Sequence, residues 1–540
     1  MSIDRADQQR RRFLRDSARW AFAAGAATLL PPVLAAPVHA DRQVIARVRG
    51  GRVRGQREQG VHVFRGLRYG ADTSAYRFQP PRREASWRGI ADALEPGASA
   101  PQGGKEGPGS EDCLFLNVWT PALDDGGKRP ILFYIHGGGF NNGSGSDPLY
   151  DGGALCRRGD VVVVTVNHRL NLFGYLYLGA LGDPRVAASG NVGQLDLVQA
   201  LQWVREHAGV FGGDARNITV FGQSGGGAKI ATLMAMPAAT GLFQRAWTMS
   251  GQQVTAAGPR AAAQRAAIAM GAVGAKDLDG LLRLPAAGLL TAGKARDPSR
   301  VEDSSLYVGP VLDDVVLPRH PFWPDAPQQS ARIPMVIGNT RDETRAFLGN
   351  DPGNFELTWD TLPAKLEKEQ YVDLLPQRII AGYRRLYPDY TPSQVFFAAT
   401  TAGRSWRGAV EELEARARQP AGAAPTWAYQ LDWGSPLDGG RFGAFHTLDI
   451  PLVFDNTGQP GSRTGPGDDA RAVAAAMSDA LIAFARHGDP NHGGLPQWEP
   501  YGLPRRQTLL FDRHSTLADD PRGGERELYG QAPFVQRGTF

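Results

Sequence analysis

The chain has 540 residues, 42% of them hydrophobic, 9% aromatic and 21% charged, so it can build a large folded core and is not a disordered chain. Its two cysteines are too few for a disulfide scaffold or for a multi-cysteine zinc or iron–sulfur module. The formal net charge of +4 would suggest an acidic partner only if the basic residues belonged to the mature protein.

The first 40 residues have the order of an export signal. Arginines surround Phe13-Leu14, an alanine- and leucine-rich run follows over residues 18–34, and residues 38–40 (VHA) offer a small-x-small cleavage site. Two arginines, one further residue and then Phe-Leu-Arg resemble the twin-arginine signal, which exports folded proteins. The apolar run is shorter than the ~20 residues that span a bilayer. We therefore predict that residues 1–40 are a cleaved signal and that the protein is periplasmic or secreted. The alternatives are a retained basic helix and an uncleaved membrane anchor.

Removing this segment changes the charge of the protein. Residues 1–40 hold six arginines and three aspartates, so residues 41–540 have a formal net charge of +1. We therefore expect no nucleic-acid partner and, once the signal is removed, no stable membrane insertion.

The most loop-like stretches (97–110, 434–443 and 456–468) are too short for interdomain linkers, so we predict that residues 41–540 form one domain with insertions. The sequence leaves the oligomeric state open.

Short apolar runs alternate with helical patterns along this domain. The runs that predict buried strands are Ile131–Ile135, Val161–Val166, Ile218–Phe221, Ile333–Ile337 and Trp427–Leu431. Helical spacing is seen at Leu197/Leu201/Val204, at Ile230/Met234 and at Val473/Met477/Leu481/Phe484. Continuous apolarity is typical of parallel strands that are covered on both faces. The alternation predicts an α/β fold with a mostly parallel sheet, in which sites form after the carboxyl ends of the strands.

Two glycine-rich loops follow such strands. The strand at 218–221 leads into Gly222-Gln223-Ser224-Gly225-Gly226 and then a helix, which is the strand–turn–helix context of a nucleophile elbow. The strand at 131–135 ends in His136-Gly137-Gly138-Gly139, where bare backbone N–H groups can form an oxyanion hole. A serine on one loop and an oxyanion loop on the next predict acyl transfer.

Further segments make the chain resemble the type B carboxylesterases, the family that includes the cholinesterases. These segments are Phe64–Tyr69 (FRGLRY), Arg77-Phe78 with Pro80-Pro81, Glu111–Val118 (EDCLFLNV), Gly190-Asn191, Trp203-Val204, Phe211–Asp214 (FGGD), Ser250-Gly251 and Trp498. The resemblance covers about residues 44–512. It implies an α/β-hydrolase fold with large insertions and a serine carboxylesterase activity.

The resemblance also implies the catalytic triad. In this fold the nucleophile, acid and base follow one another along the chain. The family places its acid where Glu343 stands, in the segment 338–343 (GNTRDE), with the neighbouring Asp342 as the alternative. His446, in a glycine-bearing loop after the strand at 427–431, matches the base. Ser224 is the nucleophile.

The predicted mechanism is a two-step hydrolysis through an acyl-enzyme intermediate. The N–H groups of Gly138, Gly139 and Gly225 are the predicted oxyanion hole. No metal or organic cofactor is expected, and the partner is a small-molecule ester, with natural-product, toxin and xenobiotic esters among the candidates. Carbamate or amide hydrolysis and lipase action are the alternatives on the same triad. A non-catalytic binding protein of the same fold is a more distant one.

The chain departs from the family pattern at two positions of the elbow. Gln223 stands where the family usually has glutamate, and Gly225 replaces a common alanine. The first change removes a negative charge beside the pocket, and the loop at 101–112 has no aromatic residue, so a choline ester is a poor candidate substrate. Gly225 should still donate its N–H, although a more flexible backbone would weaken or widen the hole.

The cysteines also differ from the family pattern. The family usually bridges the cysteine at the position of Cys113 to a cysteine one loop earlier, where this chain has alanine. Only Cys156 remains as a partner, so two free buried thiols are the leading expectation.

Four arginines lie in or beside the predicted pocket-forming insertions: Arg341, Arg345, Arg404 and Arg407. They would favour an ester that bears a carboxylate, unless they are ordinary surface residues. A segment at 288–295 resembles a phosphate-binding loop, but it lacks the Ser/Thr for Mg²⁺ and follows a helical run.

Overall fold

A 13-stranded sheet runs through the part of the protein that this computed structural model describes, residues 43–298 and 305–536. The predicted export signal lies outside these residues. The strands are β1 (Gln43–Val48), β2 (Gly51–Glu58), β3 (Val61–Arg68), β4 (Ile90–Asp92), β5 (Phe115–Thr120), β6 (Arg129–Ile135), β7 (Val162–Val166), β8 (Gly213–Gln223), β9 (Arg245–Met249), β10 (Met335–Thr340), β11 (Thr426–Leu431), β12 (Gln507–Phe511) and β13 (Thr516–Asp519).

The strand order is β1-β2-β3-β5-β7-β6-β8-β9-β10-β11-β12-β13, with β4 paired to β2. The strands from β7 to β12 are mutually parallel, and antiparallel strands flank them on both sides. The outer strands alternate buried and exposed residues, whereas β6 and β7 are buried almost throughout. This difference explains why the central strands were predictable from apolar runs and the outer ones were not.

The five predicted strands are all present, each with at least one boundary that differs, and the starts of β10 and β8 have clear physical reasons. Strand β10 begins at Met335 and not at Ile333, since Pro334 has no N–H to give to a ladder. Strand β8 begins at Gly213, five residues before the apolar run, because its first part pairs with Arg129 of β6 through a register shift.

Helices pack on both faces of this sheet. Within the described residues they are α1 (Gly153–Gly159), α2 (Asn171–Tyr175), α3 (Val192–His207), α4 (Gly225–Ala235), α5 (Pro259–Ala272), α6 (Leu278–Leu282), α7 (Ala286–Ala292), α8 (Arg345–Leu348), α9 (Leu362–Glu369), α10 (Pro376–Leu386), α11 (Pro392–Thr401), α12 (Arg407–Ala417), α13 (Asp449–Val453), α14 (Asp468–His487) and α15 (Gly523–Tyr529). A π-helical turn, Ala402–Trp406, joins α11 to α12. None of the helices in the described ranges is long and apolar enough to cross a membrane.

The core has two main layers, one on each face of the sheet. Alternate residues of β6 enter different layers: Ile131 and Phe133 pack with α3 and α4, whereas Leu132 and Tyr134 pack with α14. The sheet is therefore covered on both faces, as the continuous apolar runs predict. Its parallel strands deliver the loops after β6, β8, β10 and β11 to one edge.

Candidate active site

Ser224 occupies a strained turn between β8 and α4. Its backbone angles are φ 55° and ψ −126°, a combination that is uncommon for a residue with a side chain. A Cβ at Gly226 would lie 1.9 Å from the carbonyl oxygen of Ile135, so only glycine allows α4 to begin this close to β6. The serine itself is half-buried, and its hydroxyl has no hydrogen-bond partner among the described residues. The turn thus presents a free serine hydroxyl at a helix N-terminus.

The glycine loop after β6 lies directly beside this serine. Gly138 and Gly139 have positive φ angles of 85° and 60°, and both are exposed. A Cβ at Gly137 would lie 3.2 Å from Cβ of Ser224, which shows how close the two loops are. In the described part of the chain neither Gly138 nor Gly139 donates its N–H to a protein acceptor. These donors are therefore available to an oxygen of a bound molecule.

The close approach of these loops explains why position 225 is glycine. An added Cβ at Gly225 would lie 2.1 Å from the carbonyl oxygen of Gly139, a distance that no packing tolerates. The missing methyl group therefore makes room for the neighbouring loop. The expectation that the glycine weakens or widens the hole stays a prediction; the structure shows that the backbone of Gly139 occupies the space that a Cβ would need.

Glu343 and His446 form a buried pair. The carboxylate oxygen Oε2 of Glu343 is in short hydrogen-bond contact with Nδ1 of His446, and the other oxygen accepts the backbone N–H of Thr340 at 3.0 Å. Glu343 is fully buried and His446 is 7% exposed. Burial alone would raise the pKa of Glu343, but the charge and hydrogen bond of His446 outweigh it and hold the pKa below its ordinary value. The acid is therefore ionised at neutral pH.

The adjacent Asp342 has a different role in the structure. Its carboxylate accepts the N–H of Ala444 at 3.1 Å and pairs with Arg345, and its backbone bridges to Phe445. It thus fastens the turn after β10 to the loop that holds His446. Of the two acidic residues predicted from the sequence, it is Glu343 that contacts the imidazole.

Gln223 brings His446 to the elbow. Its side-chain nitrogen lies 3.2 Å from Nε2 of His446, and the glutamine is buried. Since Gln223 immediately precedes Ser224, this contact places the imidazole beside the elbow. The backbone at Thr447 has a φ of 81°, which is strained for a β-branched residue and marks the sharp turn that presents the histidine.

The structure adds residues that the sequence analysis missed. The ring of Phe347 lies 5.0 Å from the ring of His446 and is 43% exposed. The guanidinium of Arg404 covers that ring at 4.1 Å. No sequence pattern places Phe347 beside a histidine about 100 positions away, or places Arg404 over the ring of Phe347.

Lys229 was also missed, although a lysine in the apolar helix after an elbow is a visible irregularity. Its side chain is fully buried, and its Nζ donates to the carbonyl oxygen of His136 at 3.1 Å. Burial lowers its pKa to about 7. His136 has its pKa lowered to about 3 by burial and by the charge of Lys229, so its ring is neutral. Lys229 therefore links α4 to the start of the glycine loop after β6.

The cysteines are both free and buried. Cys113 packs in the layer with α3 and α4, whereas Cys156 belongs to the layer on the other face of the sheet. Burial raises the pKa of both thiols, that of Cys156 to about 12, which keeps them protonated. The expectation of two free thiols is confirmed. No group of three or more metal-binding side chains is found in the described ranges.

Comparison with known proteins identifies the family of this chain. The model of the carboxylesterase family matches residues 41–527. The chain belongs to this family. It is 36% identical to para-nitrobenzyl esterase of Bacillus subtilis over 88% of this chain and 96% of that protein. It is 32% identical to fumonisin B1 esterase of Sphingopyxis macrogoltabida over 89% of this chain and 88% of the relative.

A solved carboxylesterase structure confirms the fold. The carboxylesterase of Geobacillus stearothermophilus superposes with a TM-score of 0.79 at 37% identity, over 90% of this chain and 99% of that one. The protein is therefore a carboxylic ester hydrolase with the α/β-hydrolase fold, and the predicted family, fold class and enzyme class are confirmed.

Proposed function

We propose that this carboxylesterase hydrolyses small to medium organic esters through Ser224, Glu343 and His446 and an acyl-enzyme intermediate. The observation that carries the proposal is the buried pair of Glu343 and His446 beside the strained elbow. Because Nδ1 of the imidazole is engaged by the carboxylate, Nε2 keeps its lone pair and can take the serine proton.

The reaction then proceeds in two steps. Oγ of Ser224 attacks the ester carbonyl carbon while Nε2 of His446 takes its proton, and the N–H groups of Gly138, Gly139 and Gly225 stabilise the oxyanion. The alcohol leaves with the proton from His446 and the acyl group stays on Ser224. Water then attacks the acyl group and gives its proton to His446, and His446 passes this proton to Oγ of Ser224 as the acid leaves.

The experiment uses Ser224→Ala and a matched serine variant, Ser515→Ala, in the loop after β12. Ser224→Ala should lose at least about a thousandfold in kcat with p-nitrophenyl butyrate, and Ser515→Ala should keep wild-type activity. An organophosphate should add one phosphoryl group to the wild type and to Ser515→Ala but none to Ser224→Ala, as read by intact mass. Substantial turnover or labelling of Ser224→Ala would refute the assignment.

The names of the relatives indicate that the ester substrates of this family vary widely. One relative is a para-nitrobenzyl esterase and another a fumonisin B1 esterase, so related chains act on unlike esters. A panel of alkyl and aryl esters, with a carbamate, an anilide and a long-chain triglyceride as further arms, separates ester hydrolysis from carbamate, amide and lipase action. We expect the short and medium esters to have the highest kcat/KM.

We also propose that the protein is exported after folding, by the signal in residues 1–40. Support comes from the paired Arg10 and Arg11 before Phe13-Leu14 and from the near-neutral charge of residues 41–540. Changing Arg10 and Arg11 to lysine should leave esterase activity in the cytoplasmic fraction, whereas Arg19→Lys should leave export unchanged. Unaltered export of the double variant would refute a twin-arginine route.

A further inference from the structure

The four arginines that raised the question of an anionic substrate differ sharply in their surroundings. Arg341 lies 3.7 Å from the carboxylate of Asp432, and Arg345 lies 3.1 Å from that of Asp342. Arg407 is 7% exposed and donates to the carbonyl oxygen of Ala532. Three of the four are therefore engaged by protein groups. Arg404 is exposed and has no carboxylate partner among the described residues.

Arg404 is also the one that stacks on the ring beside His446. Its guanidinium carbon is 4.1 Å from the centre of the Phe347 ring, and that ring is 5.0 Å from the ring of His446. These two distances add up to about 9 Å, so the guanidinium lies no farther than that from the imidazole. Unit charges near a protein surface still interact measurably over this range.

The way Arg404 is held favours binding by its edge. It projects from the π-helical turn at Ala402–Trp406, a widened turn of a kind often found at functional sites. One face of the guanidinium covers Phe347, and stacking on a ring leaves its N–H donors free in the plane. A carboxylate that approaches along that plane can accept two parallel hydrogen bonds.

The positive charge of Arg404 can offset the negative charge of Glu343 in the site. The buried carboxylate of Glu343 is ionised, so it would repel a negatively charged substrate in the same region. A second arginine, Arg463, covers Phe445, the residue before His446, at 4.6 Å. Arg463 lies near Asp438, whereas Arg404 has no such partner in the described ranges, so Arg404 is the cation free to offset the repulsion.

We propose that Arg404 is a specificity-determining residue that selects esters whose acyl or alcohol part ends in a carboxylate. This inference rests on the proposed ester hydrolysis at Ser224 and deepens it, because it names the substrate class. The stacked pair of Phe347 and Arg404 forms one wall beside His446. The apolar part of the substrate contacts the ring, and its terminal carboxylate contacts the guanidinium.

The test compares two esters that differ only in charge. Mono-p-nitrophenyl adipate is anionic, and its methyl ester is neutral with the same chain, while release of p-nitrophenolate is the readout for both. Arg404→Gln should lower kcat/KM for the anionic ester about fivefold to tenfold and change the neutral one less than about twofold. Arg404→Lys should keep most of the preference, and Arg404→Glu should reverse it. High salt should reduce the preference of the wild type.

A second stacked pair supplies a matched control. Arg384 covers the exposed ring of Trp359 at 4.8 Å, and neither residue contacts the triad. Arg384→Gln should leave both esters unchanged. Equal effects of Arg404→Gln on the two esters, or no effect on either, would overturn the proposed specificity while leaving ester hydrolysis intact. Failure of the wild type to hydrolyse either ester would overturn the proposed function itself.

Discussion

The side-chain nitrogen of Gln223 lies 3.2 Å from Nε2 of His446, the atom that takes the serine proton in the proposed mechanism. The same nitrogen lies 3.5 Å from Nδ1, so it is almost equidistant from the two ring nitrogens. A position with these two distances lies over the face of the ring and not along the outward-pointing lone pair of Nε2. The amide of Gln223 therefore packs against the imidazole and does not occupy the Nε2 lone pair.

We first predict the effect of restoring a carboxylate at position 223. In Gln223→Glu the new negative charge would lie against the imidazole and favour its protonated form, which cannot act as the base. The acid limb of the pH dependence of kcat/KM should move to higher pH, with a loss of about tenfold at pH 6 and a loss below about threefold at pH 8.5.

Gln223→Met serves as the control for this prediction, since it removes the amide without adding charge. In this variant the acid limb of kcat/KM should lie at the same pH as in the wild type. Only the plateau value of kcat/KM should change. Superimposable pH profiles of Gln223→Glu and wild type would show that position 223 does not face the base.

A second prediction concerns the close approach of Gly225 and Gly139. A methyl group in Gly225→Ala would have to displace the carbonyl of Gly139, and with it the neighbouring oxyanion donors. We expect kcat to fall about tenfold to a hundredfold with little change in KM, because the oxyanion forms only in the transition state.

Gly271→Ala, on α5, is the matched control, since an added Cβ there meets no atom within 4 Å. It should keep wild-type kinetics. Undiminished kcat in Gly225→Ala would mean that the loop at Gly139 adapts freely and that the steric argument is wrong.

Much of this site was predictable because its signals are local. A five-residue apolar run such as Ile131–Ile135 predicts a buried strand. The glycines after it predict a loop whose backbone N–H groups are not covered by side chains. The order of Ser224, Glu343 and His446 follows from the family resemblance. Asp342 and Glu343 could not be separated on the residues alone, since both follow β10. The direction of the turn, which points Glu343 at the imidazole and Asp342 at Ala444, is a property of the folded loop.

The remaining features depend on contacts between distant parts of the chain. Phe347 reaches His446 from α8, and Arg404 reaches the ring of Phe347 from a π-helical turn that no periodicity predicts. The steric reason for Gly225 needs the position of Gly139, which is set by the pairing of β6 with β8. The sequence pattern could identify the loops, but their separation is determined by the packing of the whole sheet.

Lys229 leads to a third prediction. Its Nζ holds the carbonyl oxygen of His136, at the start of the oxyanion loop, and its pKa of about 7 means that its charge is lost as the pH rises above neutral. Protonated Lys229 should assist the developing oxyanion, so we expect an ionisation near pH 7 in the pH dependence of kcat. Lys229→Met should lower kcat about tenfold at pH 6.5 and remove that ionisation.

Arg416 provides the comparison for Lys229. It is also a buried cation that donates to backbone carbonyls, among them that of Ile333, but it lies on α12 away from the elbow. Arg416→Met should reduce the melting temperature and leave the shape of the pH profile unchanged. An unchanged profile in Lys229→Met as well would mean that the lysine has only a structural role.

The last prediction concerns Glu412, a fully buried acid on α12 that takes no part in the mechanism. One of its oxygens accepts the N–H of Gln253 at 2.7 Å, and the other has no hydrogen-bond partner within the described residues. Burial raises its pKa from an ordinary 4.5 to about 8. The folded protein therefore retains a proton that the unfolded chain loses above pH 4.5, so this group lowers the free energy of unfolding as the pH rises from 4.5 to 8.

Glu412→Gln keeps the shape of the side chain and cannot ionise. The variant should match the wild type at pH 4.5 and be more stable by about 5 kcal/mol at pH 9, seen as a higher melting temperature. Glu527→Gln, at an exposed position of α15, should show no such difference. Parallel melting curves of wild type and Glu412→Gln from pH 5 to pH 9 would contradict the prediction, because they would require the buried carboxylate to ionise as readily in the fold as in water.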